Sequence, residues 1–155
     1  MTEALFRGDA YLRDTPAKVL FAEPRGIVLD RTVFYPQGGG QAGDRGVLGF
    51  DGSSIPIVNT IYDADRRTIL HVPAEGADLP APGAGVIARI DWVLRFKRMR
   101  AHTALHLLSV VLPYPVTGGS VGDADGRLDF DSGTPSWTRR RSSAGSTSSS
   151  RPTRE

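Results

Sequence analysis

The first ninety residues consist of short apolar runs separated by turn-forming residues, and this pattern limits the fold more than any other feature. The runs are rich in β-branched and aromatic side chains and lack the period of a helix. They cover residues 17–22, 26–30, 46–50, 55–62, 67–72 and 86–90, and residues 32–35 extend the second run. About six strands joined by short turns predict a small antiparallel barrel or closed sheet over residues 1–90.

Residues 92–112 differ in pattern and predict one long amphipathic helix. At about 100° per residue, its apolar positions fall on one narrow stripe. Asp91 is a suitable N-cap and Pro113 a suitable stop. The stripe consists of Trp92, Phe96, Met99, Thr103, Leu107 and Val110. We expect the stripe to pack on the barrel or to favour self-association. The sequence therefore predicts an α+β fold.

The segments after the helix are expected to be less regular. Residues 118–122 indicate a flexible loop, and residues 126–131 alternate like a strand. We divide the chain into a barrel domain over residues 1–91, a second domain over residues 92–131 and a tail over residues 132–155.

The charge is unevenly distributed between the tail and the rest of the chain. The chain holds 19 basic and 17 acidic residues; the tail has five arginines and one acid, which leaves 14 basic and 16 acidic residues in 1–131. Because the main part is slightly negative, any polyanion site there must be a local patch. The tail is rich in serine and is predicted to be disordered. It is a basic arm with RNA affinity, a segment without a role, or the product of a wrong reading frame.

The sequence excludes several protein classes. It contains no Cys, which excludes a disulfide scaffold and thiolate zinc sites. The amino terminus has no signal-peptide pattern, and the longest apolar stretch, near residues 105–116, is too short and interrupted to span a bilayer. We predict a soluble, cytoplasmic protein.

Two histidines of the predicted helix could share a metal ion. His102 and His106 are four residues apart, so both imidazoles leave the same face of the helix. The alternative is a pair of boundary histidines that donate to backbone carbonyls. His71 is expected to be a half-buried sheet residue rather than a ligand.

A basic cluster precedes these histidines. The segment RFKRMR places Arg98 one turn and Arg95 two turns before His102, with Lys97 and Arg100 beside them. Such charges suit a phosphate backbone that passes a metal site. The alternative is an ordinary solvated helix face.

The segment DRTVFYPQGGGQ is the most informative stretch. Gly38, Gly39 and Gly40 remove every Cβ and allow a backbone to approach a ligand or to adopt positive φ. The segment matches neither a P-loop nor a dinucleotide-binding motif. Glutamines 37 and 41 flank the glycines and suggest amide groups directed at a polar ligand.

Together, DRTVFYPQGGGQAGDRG and the later RMRAHTALHLLSVV resemble the editing module of alanyl-tRNA synthetase and the free-standing AlaX-type editing proteins. The resemblance covers about residues 5–131. It implies a small β-barrel that carries the glycine motif, then an editing domain that opens with a zinc helix. The implied activity is hydrolysis of mischarged Ser-tRNA(Ala), and often Gly-tRNA(Ala), at the acceptor end of tRNA(Ala). DNA and membranes are not expected partners.

The resemblance also assigns the site residues. It makes His102 and His106 zinc ligands and places Thr32 and Gln41 in the catalytic site, with Thr32 as the hydroxyl that meets the seryl side chain. Gly38, Gly39 and Gly40 would line the substrate site. The assignment of Arg95 and Arg98 to tRNA contacts comes from the basic cluster and not from the resemblance.

The sequence departs from this family in its metal ligands. The family takes its remaining zinc ligands from a later CxxxH-type motif, whereas this chain has no Cys and no His after position 106. We therefore interpret it as a truncated or frame-shifted member with an incomplete zinc site, and predict weak or no zinc binding and little deacylase activity. The alternatives are a non-catalytic tRNA-binding remnant, and an interaction module in which the histidines are incidental.

Overall fold

The structure is a computed structural model, and it describes residues 2–123 and 125–133. Within them, one 3₁₀ turn (Leu5–Arg7) and one helix, α1 (Trp92–Val111), accompany ten strands. The strands are β1 (Glu3–Ala4), β2 (Asp14–Glu23), β3 (Gly26–Leu29), β4 (Arg31–Thr32), β5 (Gly46–Phe50), β6 (Ser53–Tyr62), β7 (Ile69–Pro73), β8 (Gly85–Ile90), β9 (Val116–Val121) and β10 (Gly126–Phe130).

Six of the strands form a closed barrel in the order β2-β3-β7-β6-β5-β8, and every neighbouring pair is antiparallel. Alternate residues of β2 and β8 are buried, as expected for strands with one face on a core. The core is almost entirely aliphatic, with Phe34 as its one fully enclosed phenyl ring among the described residues. The predicted antiparallel barrel is confirmed.

One histidine is built into the barrel wall. His71 is completely buried rather than half-buried as predicted. Its Nδ1 lies 2.9 Å from the carbonyl oxygen of Ile27, and its Nε2 lies 2.7 Å from Thr32 Oγ1. Because a carbonyl only accepts, Nδ1 carries the proton and Nε2 accepts from the threonine hydroxyl. That hydroxyl oxygen accepts in turn from the Phe34 amide at 3.0 Å. With a neutral imidazole, both ring nitrogens and the threonine hydroxyl therefore have hydrogen-bond partners.

Helix α1 begins and ends close to the predicted positions, but it buries a different face. Asp91 caps it by accepting from the Leu94 amide at 3.0 Å. Its fully buried residues are Arg95 and Arg98, while Leu107 and Val110 of the predicted apolar stripe are 64% and 84% exposed. Hydrophobic periodicity missed the buried face because the two guanidinium groups are neutralised by partners that lie far away in the sequence.

A glycine-containing hairpin follows the helix, where a flexible loop was predicted. Strand β9 pairs with β10 in antiparallel register, with Gly119 opposite Leu128 and Ser120 opposite Arg127. The predicted strand at 126–131 is confirmed, and the loop prediction for 118–122 is wrong. Glycine normally weakens a strand, but here it lets another backbone approach closely.

Two further predictions concern other parts of the chain. The predicted disordered tail lies, except for its first two residues, outside the described residues. Among the described helices, none has the length and apolar character needed to cross a bilayer.

Burial of His71 makes the stability of the fold dependent on pH. Loss of solvation lowers the pKa of His71 from 6.5 to about 4, because the charged imidazole is disfavoured inside the barrel. The unfolded chain therefore takes up a proton as the pH falls below 6.5, while the folded chain does so only near pH 4. Stability is fully present above pH 6.5 and is lost as the pH falls towards 4.

We expect the free energy of unfolding to fall by about 2 kcal/mol between about pH 7.5 and pH 5, measured by urea denaturation. In this range His71→Gln should show a much smaller pH slope, whatever its absolute stability. Val58→Gln, which alters an exposed and non-titratable side chain of the barrel, is the control and should keep the wild-type slope. An unchanged slope in His71→Gln would contradict the assignment.

Candidate functional site

The three consecutive glycines form a tight turn rather than an open loop. Gly38 and Gln41 exchange both backbone hydrogen bonds, at 3.1 and 3.0 Å. The two central residues, Gly39 and Gly40, have φ of +58° and +78°. Positive φ at both central positions is the requirement of a type I′ turn, and glycine meets it without a steric penalty.

This turn packs directly against strand β9. The carbonyl of Gly40 accepts from the Val121 amide at 2.8 Å, and Gln41 forms a parallel bridge with Val121. A Cβ placed on Gly40 would lie 2.6 Å from the carbonyl oxygen of Gly119. Glycine at both positions is therefore what allows the turn and the hairpin to meet.

The same turn also meets helix α1. His102 Nδ1 lies 3.2 Å from Oε1 of Gln41, a residue that is only 7% exposed. The rings of His102 and His106 are stacked, with centroids 4.8 Å apart and planes inclined by 13°. The two imidazoles thus leave the helix side by side, as their four-residue spacing requires.

These elements enclose one cleft of about 300 Å³, which we call the histidine cleft. The glycine turn, helix α1 and the β9–β10 hairpin each supply part of its wall. Its lining includes Gly39, Gly40, His102, Leu105, His106, Ser109, Gly119, Ser120 and Leu128. The structure therefore brings the two predicted ligands together with the predicted glycine segment, although the strands and helix that carry them are distant in the sequence.

Arg95 holds the helix against the barrel through a buried ion pair. Its Nη2 lies 2.7 Å from Asp44 Oδ2, its Nε lies 3.0 and 2.9 Å from the two carboxylate oxygens, and Nη2 also donates to the Val33 carbonyl at 2.9 Å. Asp44 Oδ2 accepts in addition from the Tyr35 amide at 2.7 Å. A buried ion pair persists only when further hydrogen bonds satisfy its remaining groups, and this one meets that condition.

Arg98 connects the three elements that form the histidine cleft, because it lies on helix α1 and bonds to segments next to the glycine turn and within the β9–β10 hairpin. The side chain is fully buried, and its Nη1 donates to the carbonyl of Gly43 at 2.7 Å, just after the glycine turn. Its Nε lies 3.2 Å from Asp123 Oδ1, in the segment between β9 and β10, and Nη2 contacts the same oxygen. This hydrogen-bonded contact lowers the pKa of Asp123 below its usual value.

These positions differ from the predicted roles of the two arginines. Arg95 and Arg98 were expected to face a phosphate backbone, but both are buried and bonded to carboxylates and carbonyls of the chain itself. The physical reason is that Arg95 neutralises the buried Asp44, and that the partly exposed Asp123 neutralises the buried Arg98. Lys97 and Arg100, which belong to the same basic segment, are exposed.

Thr32 also lies away from the histidine cleft. Its side chain is fully buried and its hydroxyl is bonded to His71 and Phe34 in the barrel. It is not among the residues that line the cleft with Gly39, Gly40 and the two histidines. The hydroxyl groups that do line the cleft belong to Ser109 and Ser120.

The donor set of the cleft fits a zinc ion only in part. Zinc in proteins takes four ligands at a structural site and three protein ligands at a catalytic one. Among residues 2–123 and 125–133, no group of three or more histidines, cysteines or carboxylates is placed to hold a metal. The two imidazoles fit two positions of such a shell.

Sequence reasoning missed the residues that hold the cleft together. Asp44 and Asp123 are the partners of the two buried arginines, and neither belongs to a periodic pattern. The signal for Asp44 was present, since it closes the glycine-rich segment QGGGQAGD. Asp123 lies in a turn, and nothing in its local sequence indicates a partner on the helix.

Comparison with known proteins gives consistent matches. Residues 9–94 match the family model for class II (A) tRNA synthetases. The alanyl-tRNA editing protein AlaX-M of Pyrococcus horikoshii is 39% identical over 137 residues, which cover 84% of this chain and 61% of that protein. AlaX-L of the same species is 38% identical over 116 residues, and an alanine–tRNA ligase of Pyrobaculum neutrophilum is 43% identical over 110. This chain spans 28% and 12% of their lengths.

The close approach of Gly40 to β9 can be tested with a matched pair of variants. We expect Gly40→Ala to lower the free energy of unfolding by at least about 1 kcal/mol more than Gly39→Ala, because only the former places a methyl group against the Gly119 carbonyl. Positive φ disfavours alanine at both positions, so the difference between the two losses of stability measures the contact of the methyl group with the Gly119 carbonyl. Urea denaturation measures it, and equal losses would contradict the packing of the turn on the hairpin.

The buried ion pair gives a second prediction. We expect Arg95→Met to lower the free energy of unfolding by about 3–5 kcal/mol, because it leaves the Asp44 carboxylate buried without its partner. The exposed pair of Arg89 and Asp14 provides the control, and Arg89→Met should cost less than about 1 kcal/mol.

Combining Arg95→Met with Asp44→Asn should cost clearly less than the sum of the single changes, since the double variant no longer buries an unpaired charge. Urea denaturation of the four proteins completes this cycle. Additive losses would show that the two side chains act independently.

Proposed function

This chain belongs to the AlaX-type alanyl-tRNA editing family, and on that premise we propose that it binds the aminoacylated 3′ end of tRNA(Ala) and promotes hydrolysis of a mischarged aminoacyl ester. The proposed substrate is Ser-tRNA(Ala) or Gly-tRNA(Ala). The proposal concerns the whole activity of longer relatives, of which this chain spans only part.

The observation that supports this function is the shared cleft of the glycine turn and the two histidines. Gly39 and Gly40 have no side chains, so a substrate backbone or ribose can come close to the main chain there. His102 and His106 supply ring nitrogens at the same place. An aminoacyl ester is already activated, so its hydrolysis needs a positioned water and a partner for the developing negative charge.

Gln41 gives His102 a defined orientation. Since Oε1 only accepts, the contact at 3.2 Å requires the proton on His102 Nδ1 and leaves the lone pair on Nε2. We propose that Nε2 is the group that meets a water molecule or a metal ion. His106 lies beside it with its ring exposed, where it can contact the same ligand.

Selection of serine is useful for physical reasons. A synthetase pocket built for alanine rejects an added hydroxyl only weakly, so a second hydrolytic site has a purpose. Such a site must offer a hydrogen-bonding partner that alanine would leave unsatisfied. In the histidine cleft the candidates for that partner are Ser109 and Ser120.

A zinc ion would supply Lewis acidity towards the ester carbonyl or the attacking water. His102 and His106 are the residues that would hold it, and we expect weak binding because they provide only two donors. Arg95 and Arg98 do not line the histidine cleft. Their buried hydrogen bonds fix the positions of the helix, the glycine turn and the hairpin relative to one another, and so keep the imidazoles next to Gln41.

A second candidate function is tRNA binding without catalysis. The two-donor ligand set among the described residues favours it, as do the exposed charges of Lys97 and Arg100, which suit phosphate contacts. The two candidates make the same prediction for binding and different predictions for ester hydrolysis.

Hydrolysis of Ser-tRNA(Ala) by the purified 155-residue chain decides between them, with the zinc content measured on the same sample. If the chain is a deacylase, His102→Ala should reduce the rate by at least about tenfold while tRNA binding is retained, because the imidazole lies in the cleft and not on the basic face. His71→Gln is the matched control, since that histidine is enclosed in the barrel and should not alter the rate per folded molecule.

The outcomes are distinct. Hydrolysis at the background rate, with tRNA binding that weakens with salt and with Lys97→Gln or Arg100→Gln, would establish the binding function. One equivalent of zinc that is lost in His102→Ala would overturn the expectation of weak metal binding. Absence of both hydrolysis and salt-dependent tRNA binding would refute both candidates.

A further inference from the structure

A second cleft of about 450 Å³ lies next to the histidine cleft. We call it the aromatic cleft. Three aromatic rings line it, those of Phe6, Tyr35 and Tyr62, together with the side chains of Arg7 and Met99. Its size lies within the range of small-molecule sites.

The aromatic rings of this cleft are held in place by specific contacts. Phe6 meets Tyr35 edge to face with centroids 5.5 Å apart, and the Tyr35 hydroxyl donates to the Gly38 carbonyl at 3.0 Å. The guanidinium group of Arg95 lies 5.9 Å from the Tyr35 ring centroid. Tyr35 is therefore fixed by its neighbours, while Phe6 and Tyr62 are half-buried and keep part of their surface accessible.

The aromatic cleft and the histidine cleft share a wall. His102 lines both, and its partner Gln41 lines the aromatic cleft. Tyr35 is bonded to Gly38, the first residue of the turn that borders the histidine cleft. A ligand with one polar end and one flat end could therefore extend from one cleft into the other across the contact of Gln41 and His102.

The charge in the aromatic cleft favours a flat, neutral group that carries a phosphate. Of the described residues that line it, none is acidic, and Arg7 is exposed with Nη2 at 3.3 Å from the Tyr62 hydroxyl. The other arginine, Arg95, is already neutralised by Asp44. Aromatic side chains beside an available cation are the combination with which proteins bind single-stranded nucleotides.

We infer that the aromatic cleft binds the base of the RNA nucleotide whose ester lies in the histidine cleft, with Phe6 and Tyr62 against the base and Arg7 at its phosphate. This inference rests on the proposed function for the identity of the RNA end. The base contacts position the nucleotide, and the histidine cleft contacts its ester.

The test is to titrate the full chain with AMP, adenosine and ribose 5-phosphate and to measure binding from the changes in its NMR chemical shifts. AMP and adenosine should bind, and ribose 5-phosphate should bind at least about tenfold more weakly than AMP. Phe6→Leu and Tyr62→Ala should each raise the Kd for AMP about tenfold, because each removes an aromatic face next to the base. Tyr62→Phe keeps its ring and should stay within about twofold of wild type.

The controls separate this cleft from other surfaces. Tyr11→Ala removes an aromatic ring that is 62% exposed and packs on Trp92 outside the cleft, and it should leave the Kd unchanged. Arg7→Gln should weaken AMP but not adenosine.

Two results would overturn the inference: Kd values in Phe6→Leu and Tyr62→Ala equal to that of Tyr11→Ala, or ribose 5-phosphate binding as tightly as AMP. Failure of the proposed function is distinguishable. AMP binding with the expected variant effects but without hydrolysis of Ser-tRNA(Ala) would refute the deacylase and leave the base site intact.

Discussion

The arrangement of both clefts depends on two arginines of helix α1 that are buried against carboxylates and carbonyls of distant segments. Arg95 is bonded to Asp44, which also binds the Tyr35 amide, and Arg98 is bonded to Gly43 and Asp123. Ion pairs of this kind add little net stability compared with apolar packing, but they tolerate few alternative geometries. Their effect here is to fix which face of the helix meets the barrel, and thus to direct His102 and His106 towards the glycine turn.

The backbone of the glycine turn complements this arrangement. Positive φ at Gly39 and Gly40 closes the turn in two residues, and the missing Cβ of Gly40 allows contact with the Gly119 carbonyl. The hairpin β9–β10 is thereby brought against the turn on one side, and Arg98 ties it to the helix through Asp123 on another. The histidine cleft thus lies where three separate segments converge, and each segment is held by contacts that involve no ligand.

Local sequence patterns were sufficient to predict the helix and most of the strands, but not the contacts between them. The alternation of the strands predicted the barrel, and Asp91 and Pro113 predicted the ends of the helix closely. The hydrophobic stripe predicted the wrong buried face, because periodicity treats an arginine as polar even when Asp44 neutralises it. The spacing of His102 and His106 predicted their common direction, and the glycine run predicted a close backbone approach. Burial of Thr32 and the strand at residues 116–121 depend on partners distant in sequence, which a linear pattern does not show.

The four charges of the basic segment RFKRMR divide between the interior and the surface, and under the proposed function this division accounts for RNA binding by a chain with a slightly acidic main part. Two of its four charges are used inside the protein, at Asp44 and Asp123, where they determine the shape of the site. The other two, Lys97 and Arg100, remain exposed on the opposite side of the helix. A phosphate bound there would gain only a modest, salt-sensitive attraction. Recognition of one particular RNA end would then depend on the two clefts, one of which would contact the base and the other the ester. The buried arginines fix the positions of the elements that form both clefts.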